Sequence, residues 1–307
     1  MIAARRSATE VSVLKIALPN KGRLCDDVKS ALSDAGLEVR SAGERALTAK
    51  LGDEFAALFV RAQDIPEFVA DGAADAGVTG WDCVAESGRE LESLLDLGFG
   101  RCRLVIAARA RDGELQQLGA TGRLPFDRVP DGAAIATSFP RLTERFFAER
   151  KKPIRIVSVT GAAEVAPHLG IADVIVDLVS TGSTLRVNGL IEIETILLSS
   201  ARLVSRPRAE LTEDAQRSLG ELALALESVV RARGQRYLMA NAPRERLADI
   251  QGVLPGINGP TVVDLADRRF VAVHAVVPER QVYRTIARLK ELGCEGILIT
   301  RIERLTP

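Results

Sequence analysis

The chain has 307 residues, 47% apolar and 27% charged, which fits a globular protein of two or three domains and excludes a disordered or fibrous one. Its 41 basic and 41 acidic residues cancel, so there is no broad electrostatic footprint for nucleic acid or an anionic membrane, and any phosphate binding must be local. Only two histidines, His168 and His274, accompany Cys25, Cys83, Cys102 and Cys294, which show no C-x-x-C spacing; a His-rich zinc site is excluded, and reduced thiols in a cytoplasmic chain are expected.

Residues 1–10 carry Arg5 and Arg6 but no apolar stretch of a signal peptide, and no run of 18 apolar residues follows, so a soluble protein is expected. Residues 11–18 read as a buried strand closed by Pro19-Asn20-Lys21-Gly22, with a helical pattern up to Gly36. A second strand is predicted over 54–60. Asp64-Ile65-Pro66 then opens a short helix, with Asp at the N-cap and Pro in the first turn. A third strand over 74–78 ends at Thr79-Gly80. Further strands are predicted over 103–108, 133–137, 154–159 and 174–178, with helices over 141–149 and 162–169. This alternation predicts parallel α/β sheets with sites at strand carboxyl ends. The segment 104–109 leads out of the first sheet and 191–198 leads back, which describes two lobes with a cleft between them.

Residues 210–233 read as one long helix, with Leu219, Leu222, Leu226, Val229 and Val230 on one face, Gly220 inside it and Gly234 as its cap. Beyond it the order changes to strand 237–240, helix 243–251, strands 261–265 and 270–277, helix 278–292 and strand 296–302. That β-α-β-β-α-β order is ferredoxin-like, a fold that by itself names no ligand.

The most informative segment is 172–190. An apolar strand punctuated by Asp173 and Asp177 runs into Ser180-Thr181-Gly182-Ser183-Thr184. Gly182 permits a turn in which successive N–H groups converge, and a helix starting near Ser183 would add its dipole. With the hydroxyls, this suits a phosphate monoester; the Lys and the spacing of a P-loop are absent. The two acids suit ribose hydroxyls or a hydrated metal. The same residues also fit a plain strand–turn–helix with a Ser/Thr cap. Glu164, in Thr160-Gly161-Ala162-Ala163-Glu164, is open between a second ribose or metal contact and a complement to a helix dipole.

The stretch from Asp173 to Leu190 closely resembles the phosphoribosyl pyrophosphate (PRPP) signature of ATP phosphoribosyltransferases. Three further segments resemble the same family: Leu18-Pro19-Asn20-Lys21-Gly22-Arg23-Leu24, Arg61-Ala62-Gln63-Asp64-Ile65-Pro66 and Gly77-Val78-Thr79-Gly80-Trp81-Asp82. Asp177-Leu178 stands where salvage phosphoribosyltransferases usually have two adjacent acids. Trp81 departs from the usual Arg or Ile and receives no role.

The resemblance implies a bilobal, periplasmic-binding-protein-like catalytic region of two α/β lobes, 11–105 with 190–212 and 106–189. A connecting helix over 213–234 and a C-terminal ferredoxin-like (ACT-like) regulatory domain over 235–307 complete the long form. It implies attack of adenine N1 of ATP on C1 of PRPP, giving phosphoribosyl-ATP and pyrophosphate, with Mg2+ as cofactor. PRPP would meet Glu164, Asp173, Asp177, Ser180, Thr181, Gly182, Ser183 and Thr184, with Asp177 and Glu164 toward the metal. ATP and pyrophosphate would meet Asn20, Lys21, Gly22, Arg23, Arg61, Gly80 and Asp82. Histidine would act as feedback inhibitor near Asn258, Pro260, Thr261 and Ile299, in a homo-oligomer running from dimer to hexamer. A solute-binding protein, an inactive ligand-sensing regulator and a salvage enzyme taking a free base are the competing readings.

Overall fold

The computed structural model describes residues 13–40, 43, 46–111, 122–257 and 259–306. The first compact unit, which runs to Ser30 and again from Leu37 to Ala223, contains two sheets. It opens with β1 (Leu14–Pro19), α1 (Arg23–Asp34), β2 (Val39–Arg40), β3 (Thr48–Leu51) and β4 (Phe55–Val60), then α2 (Ile65–Ala70), β5 (Ala76–Gly80), α3 (Trp81–Ser87) and β6 (Glu92–Asp96). The chain then crosses to a second sheet, made of β7 (Cys102–Arg109), β8 (Ala133–Thr137), α4 (Pro140–Glu149), β9 (Ile154–Ser158), β10 (Val174–Val179), α5 (Ser183–Val187) and β11 (Leu190–Ser199). β12 (Ala201–Ser205) returns to the first sheet. The strand orders are β2-β3-β4-β1-β5-β12-β6 and β11-β7-β10-β8-β9. This is the two-lobed α/β plan with two crossings that the alternation implies.

Burial on both faces explains why the sequence shows apolar runs rather than alternation. In β7, Leu104, Ile106 and Ala108 enter one core with Ile135, Leu142 and Phe147, while Val105 and Ala107 enter another with Ile175, Val179 and Leu185. A strand covered on both faces has no solvent side to mark with polar residues.

The second unit, Ala31–Gly36 with the chain from Leu224, holds β13 (Gln235–Pro243), α7 (Leu247–Val253), β14 (Thr261–Asp264), β15 (Phe270–Pro278), α8 (Val282–Glu291) and β16 (Glu295–Arg301). Its antiparallel order β14-β15-β13-β16 is ferredoxin-like. The long helix α6 (Glu213–Ala232) is continuous through Gly220 and ends before Gly234, which has φ +71°.

Several predicted elements change. The helix expected over 162–169 is a single 3-10 turn, Ala163–Val165, followed by turns. Ala162 sits in the left-handed region at φ +53°, and Pro167 brings no N–H to extend the ladder. Pro243 and Pro278 close strands instead of opening helices; a 3-10 turn precedes each helix. Asp64 makes no side-chain cap, because its carboxylate accepts from Arg61 Nε at 3.0 Å instead. Of the predicted first strand, 11 and 12 lie outside the described residues.

Candidate active site

β10 delivers its carboxyl end to the Ser/Thr-rich loop. Gly182 adopts φ +74° and lets the chain turn directly into α5. Since α5 spans five residues, its dipole is weak, and the anion-attracting power of the loop rests on its own N–H groups and hydroxyls. Thr181 Oγ1 and Ser183 Oγ share a hydrogen bond of 3.0 Å, so both hydroxyls gather on one side. Behind the loop, Asn188 Nδ2 donates to Thr184 O (2.9 Å), and His168 Nε2 donates to Asn188 O (2.8 Å). Glu164, Asp177 and the residues from Ser180 to Leu185 surround a cavity of about 330 Å³, within the range of small-molecule pockets.

Asp177 is half-buried and accepts from the N–H of its neighbour Leu178 at 2.8 Å. Burial pushes its carboxyl above the usual range, and the nearby Glu164 charge pushes the same way, against the Leu178 N–H. Both acids line the same cavity. Among the described residues no cluster of three or more His, Cys, Asp or Glu could cage a metal. Two carboxylates lining one cavity do fit Mg2+, which keeps several waters and needs only one or two protein carboxylates.

Asp173 is not part of this group. It precedes β10 at the end opposite the loop, where its Oδ2 accepts from Ala134 N–H at 2.8 Å and its own N–H donates to Ala134 O at 2.8 Å. The carboxylate ties β8 to β10, and a strand six residues long separates it from Ser180.

The basic residues of the first lobe do share a rim. β4, β1 and β5 are parallel neighbours, so Asn20, Lys21, Gly22 and Arg23, then Arg61, and then Gly80 follow adjacent carboxyl ends. Asn20, Lys21, Arg23 and Arg61 are exposed. Among the described residues Arg23 has only a 4.0 Å contact with Asp27, whereas Arg61 is held by Asp64.

Asp82, expected to meet adenine or ribose, is 5% exposed and already occupied. Ser199 Oγ donates to its Oδ1 at 2.5 Å, its own N–H donates to Ser199 Oγ at 3.0 Å, and the Cys83 thiol lies 3.5 Å from Oδ2. Gly80 is what admits this carboxylate, since a Cβ there would lie 2.4 Å from Asp82 Oδ1. Asp82 thus fastens α3 to the return crossing. The outgoing crossing is fastened beside it: Ser200 Oγ donates to Asp96 Oδ1 at 2.8 Å. Against the push of burial, the Gly98 N–H, Ser200 and Arg202 hold the Asp96 carboxyl below its ordinary value. Burial first, and then the Asp82 charge, push the Cys83 and Cys102 thiols up, Cys102 to about 11, so these cysteines are inert thiols rather than nucleophiles. Arg202 lies over the Trp81 ring at 4.3 Å. Ser199 and Ser200 were silent in the sequence; their partners are more than a hundred positions away, and no local motif marks them.

In the second unit, Pro260 and Thr261 lead into β14, while Ile299 lies on β16. These strands are the two edges of the sheet, three strand spacings or roughly 14 Å apart, and Ile299 packs against the core beneath the helices. One chain therefore does not bring them to a common point. Asn258 lies outside the described residues.

A family model described as ATP phosphoribosyltransferase matches residues 61–228, and one described as "HisG, C-terminal domain" matches residues 232–304. A protein named ATP phosphoribosyltransferase from Gemmatimonas aurantiaca is 62% identical over 96% of this chain and 100% of its own length. Its namesake from Methanocaldococcus jannaschii is 39% identical over 95% and 100%. Among solved structures, the ATP phosphoribosyl transferase (HisG:HisZ) complex from Thermotoga maritima aligns with a TM-score of 0.60 and 27% identity, covering 71% of this chain and 98% of that one. The chain belongs to the ATP phosphoribosyltransferase family, pentosyltransferases of histidine biosynthesis.

Proposed function

We propose that the chain joins adenine N1 of ATP to C1 of PRPP, releasing pyrophosphate and phosphoribosyl-ATP. The observation that carries this reading is the cavity bounded by Ser180–Leu185, Asp177 and Glu164. There the loop N–H groups and hydroxyls would hold the 5-phosphate, and Asp177 and Glu164 would accept from the ribose hydroxyls. The same two acids would hold Mg2+, which when bound offsets pyrophosphate charge. Lys21, Arg23 and Arg61 would bind the phosphates of ATP and stabilise the leaving group as the bond to C1 breaks.

Adenine N1 is a neutral nucleophile, so no strong general base is required. The transition state is oxocarbenium-like, and rate enhancement comes from orienting two polyanions. Residues 11–105 with 190–212 and 106–189 would be the two catalytic lobes, joined by the helix over 213–234 to a regulatory domain over 235–307. That domain would bind histidine, which inhibits by favouring a less active arrangement of a dimer or hexamer. Since Thr261 and Ile299 lie on opposite sheet edges, a histidine site using both needs two chains. The enzyme would act in the cytoplasm; no helix among the described residues is long and apolar enough to cross a membrane.

The test is an assay with ATP, PRPP and Mg2+, following the ultraviolet absorbance of the adduct with and without histidine. Adduct formation suppressed by histidine supports both halves of the reading. Formation indifferent to histidine removes the regulatory half, and absence of PRPP binding removes the whole.

A further inference from the structure

A second cavity, of about 580 Å³, lies on the other side of the phosphate loop, and Gly182 and Leu185 line both. Leu185 and Leu190, which share one core face, give it an apolar wall. Facing that wall are Arg103, Arg123, Arg186 and a single acid, Glu192. In a chain of zero net charge, three guanidinium groups against one carboxylate form a local excess of positive charge.

The donors are unequally used. Arg103 forks onto Glu192 with bonds of 2.6 and 2.7 Å, which consumes that carboxylate. Arg123 reaches it only at 3.4 Å, and Thr195 Oγ1 at 3.4 Å. Arg186 donates to the carbonyl of Thr181 at 3.3 Å; among the described residues no carboxylate pairs with it. A guanidinium offers five N–H donors in a planar fork that matches phosphate oxygens. Arg123 and Arg186 therefore retain most of their capacity, and both face the same ligand-sized space.

We propose that this cavity is a second anion site, taking an organic phosphate whose head is held by Arg123 and Arg186 and whose apolar or planar body lies against Leu185 and Leu190. It is separate from the substrate positions above: the PRPP phosphate lies across Gly182 from it, and the phosphates of ATP are assigned to the rim of the first lobe. The Arg103–Glu192 pair forms its inner wall. Glu192 Oε1 would lie 3.7 Å, and Arg186 Nη1 3.2 Å, from a Cβ placed on Gly182, so an occupant sits directly behind the loop.

ADP is the probe, and calorimetric titration of the full chain the measurement. In a Lys21→Met/Arg61→Met chain, which lacks the substrate-rim cations, one ADP per chain is expected to remain bound. Adding Arg123→Met and Arg186→Met is expected to weaken that binding by about tenfold or more, the loss of roughly one charge-assisted contact. Arg123→Met alone, an exposed change remote from the loop backbone, is expected to weaken it by about threefold, with an unaltered melting temperature. No residual ADP in the Lys21→Met/Arg61→Met chain overturns the proposal, as does residual binding indifferent to Arg123 and Arg186. A parallel PRPP titration of the unmodified chain reports on the phosphate loop by itself, so failure there is distinguishable from failure here.

Discussion

Asp177 sits where stability and function pull apart. Its folded pKa is raised by burial and by Glu164, so folding favours its protonated form. That advantage is complete at pH below its ordinary value and is lost as pH rises through the raised one. Asp177→Asn keeps the oxygen that accepts from Leu178 and removes the charge. It is expected to raise the melting temperature at pH 7, with the gain vanishing in scans near pH 3, while lowering kcat/KM for PRPP by ~10²-fold. A neutral or lowered melting temperature at pH 7 would contradict this account of the acid pair. Gly182→Ala acts on the same loop through backbone geometry. At φ +74° a Cβ costs about 1–2 kcal/mol, and a roughly tenfold loss of PRPP affinity by titration is expected as the loop rearranges. Ser199→Ala leaves the buried Asp82 without its hydroxyl donor, and denaturant unfolding should show a loss of about 1–3 kcal/mol.

The elements divide by how local their causes are. β8, β10 and the loop from Ser180 to Thr184 were readable because an apolar run, a glycine turn and a hydroxyl cluster are adjacent in the chain. The strands at Thr48–Leu51 and Glu92–Asp96 were not. The first is too short to show a period, and the second is half-exposed with acids at its ends and pairs only with β12, more than a hundred positions on. Asp173 and Asp82 were misplaced for a related reason: a carboxylate near a loop looks alike whether it faces a ligand or a buried N–H or hydroxyl. Gly220 leaves the long helix unbroken, because Leu219, Leu222, Leu226 and Val229 are all buried and hold it in place. A Cβ at Gly220 would meet nothing within 4 Å. Gly220→Ala should therefore stabilise by about 1 kcal/mol, seen as a melting temperature raised by ~2–4 °C with kcat unchanged.

For the whole molecule, the proposed Mg2+ would serve the reaction and not the fold. With no three-ligand cluster among the described residues, EDTA is expected to abolish adduct formation while leaving the melting temperature of the free chain within about 1 °C. The two-lobed plan itself was legible from the family resemblance together with strand–helix alternation and the two crossing segments. What joined the crossings was not, because Asp82–Ser199 and Asp96–Ser200 exist only once distant segments meet. The strand order carries a consequence for synthesis on the ribosome. β12 stands between β5 and β6 in the first sheet, so β6 has no partner strand, and β5 has a bare edge, until roughly a hundred further residues have been translated, about 5–20 s at ~5–20 residues per second. The sheet from β7 to β11, by contrast, is complete within one uninterrupted stretch. The nascent chain thus closes its second lobe before its first, and a product halted after β6 would emerge with an open edge available to aggregation or to a chaperone.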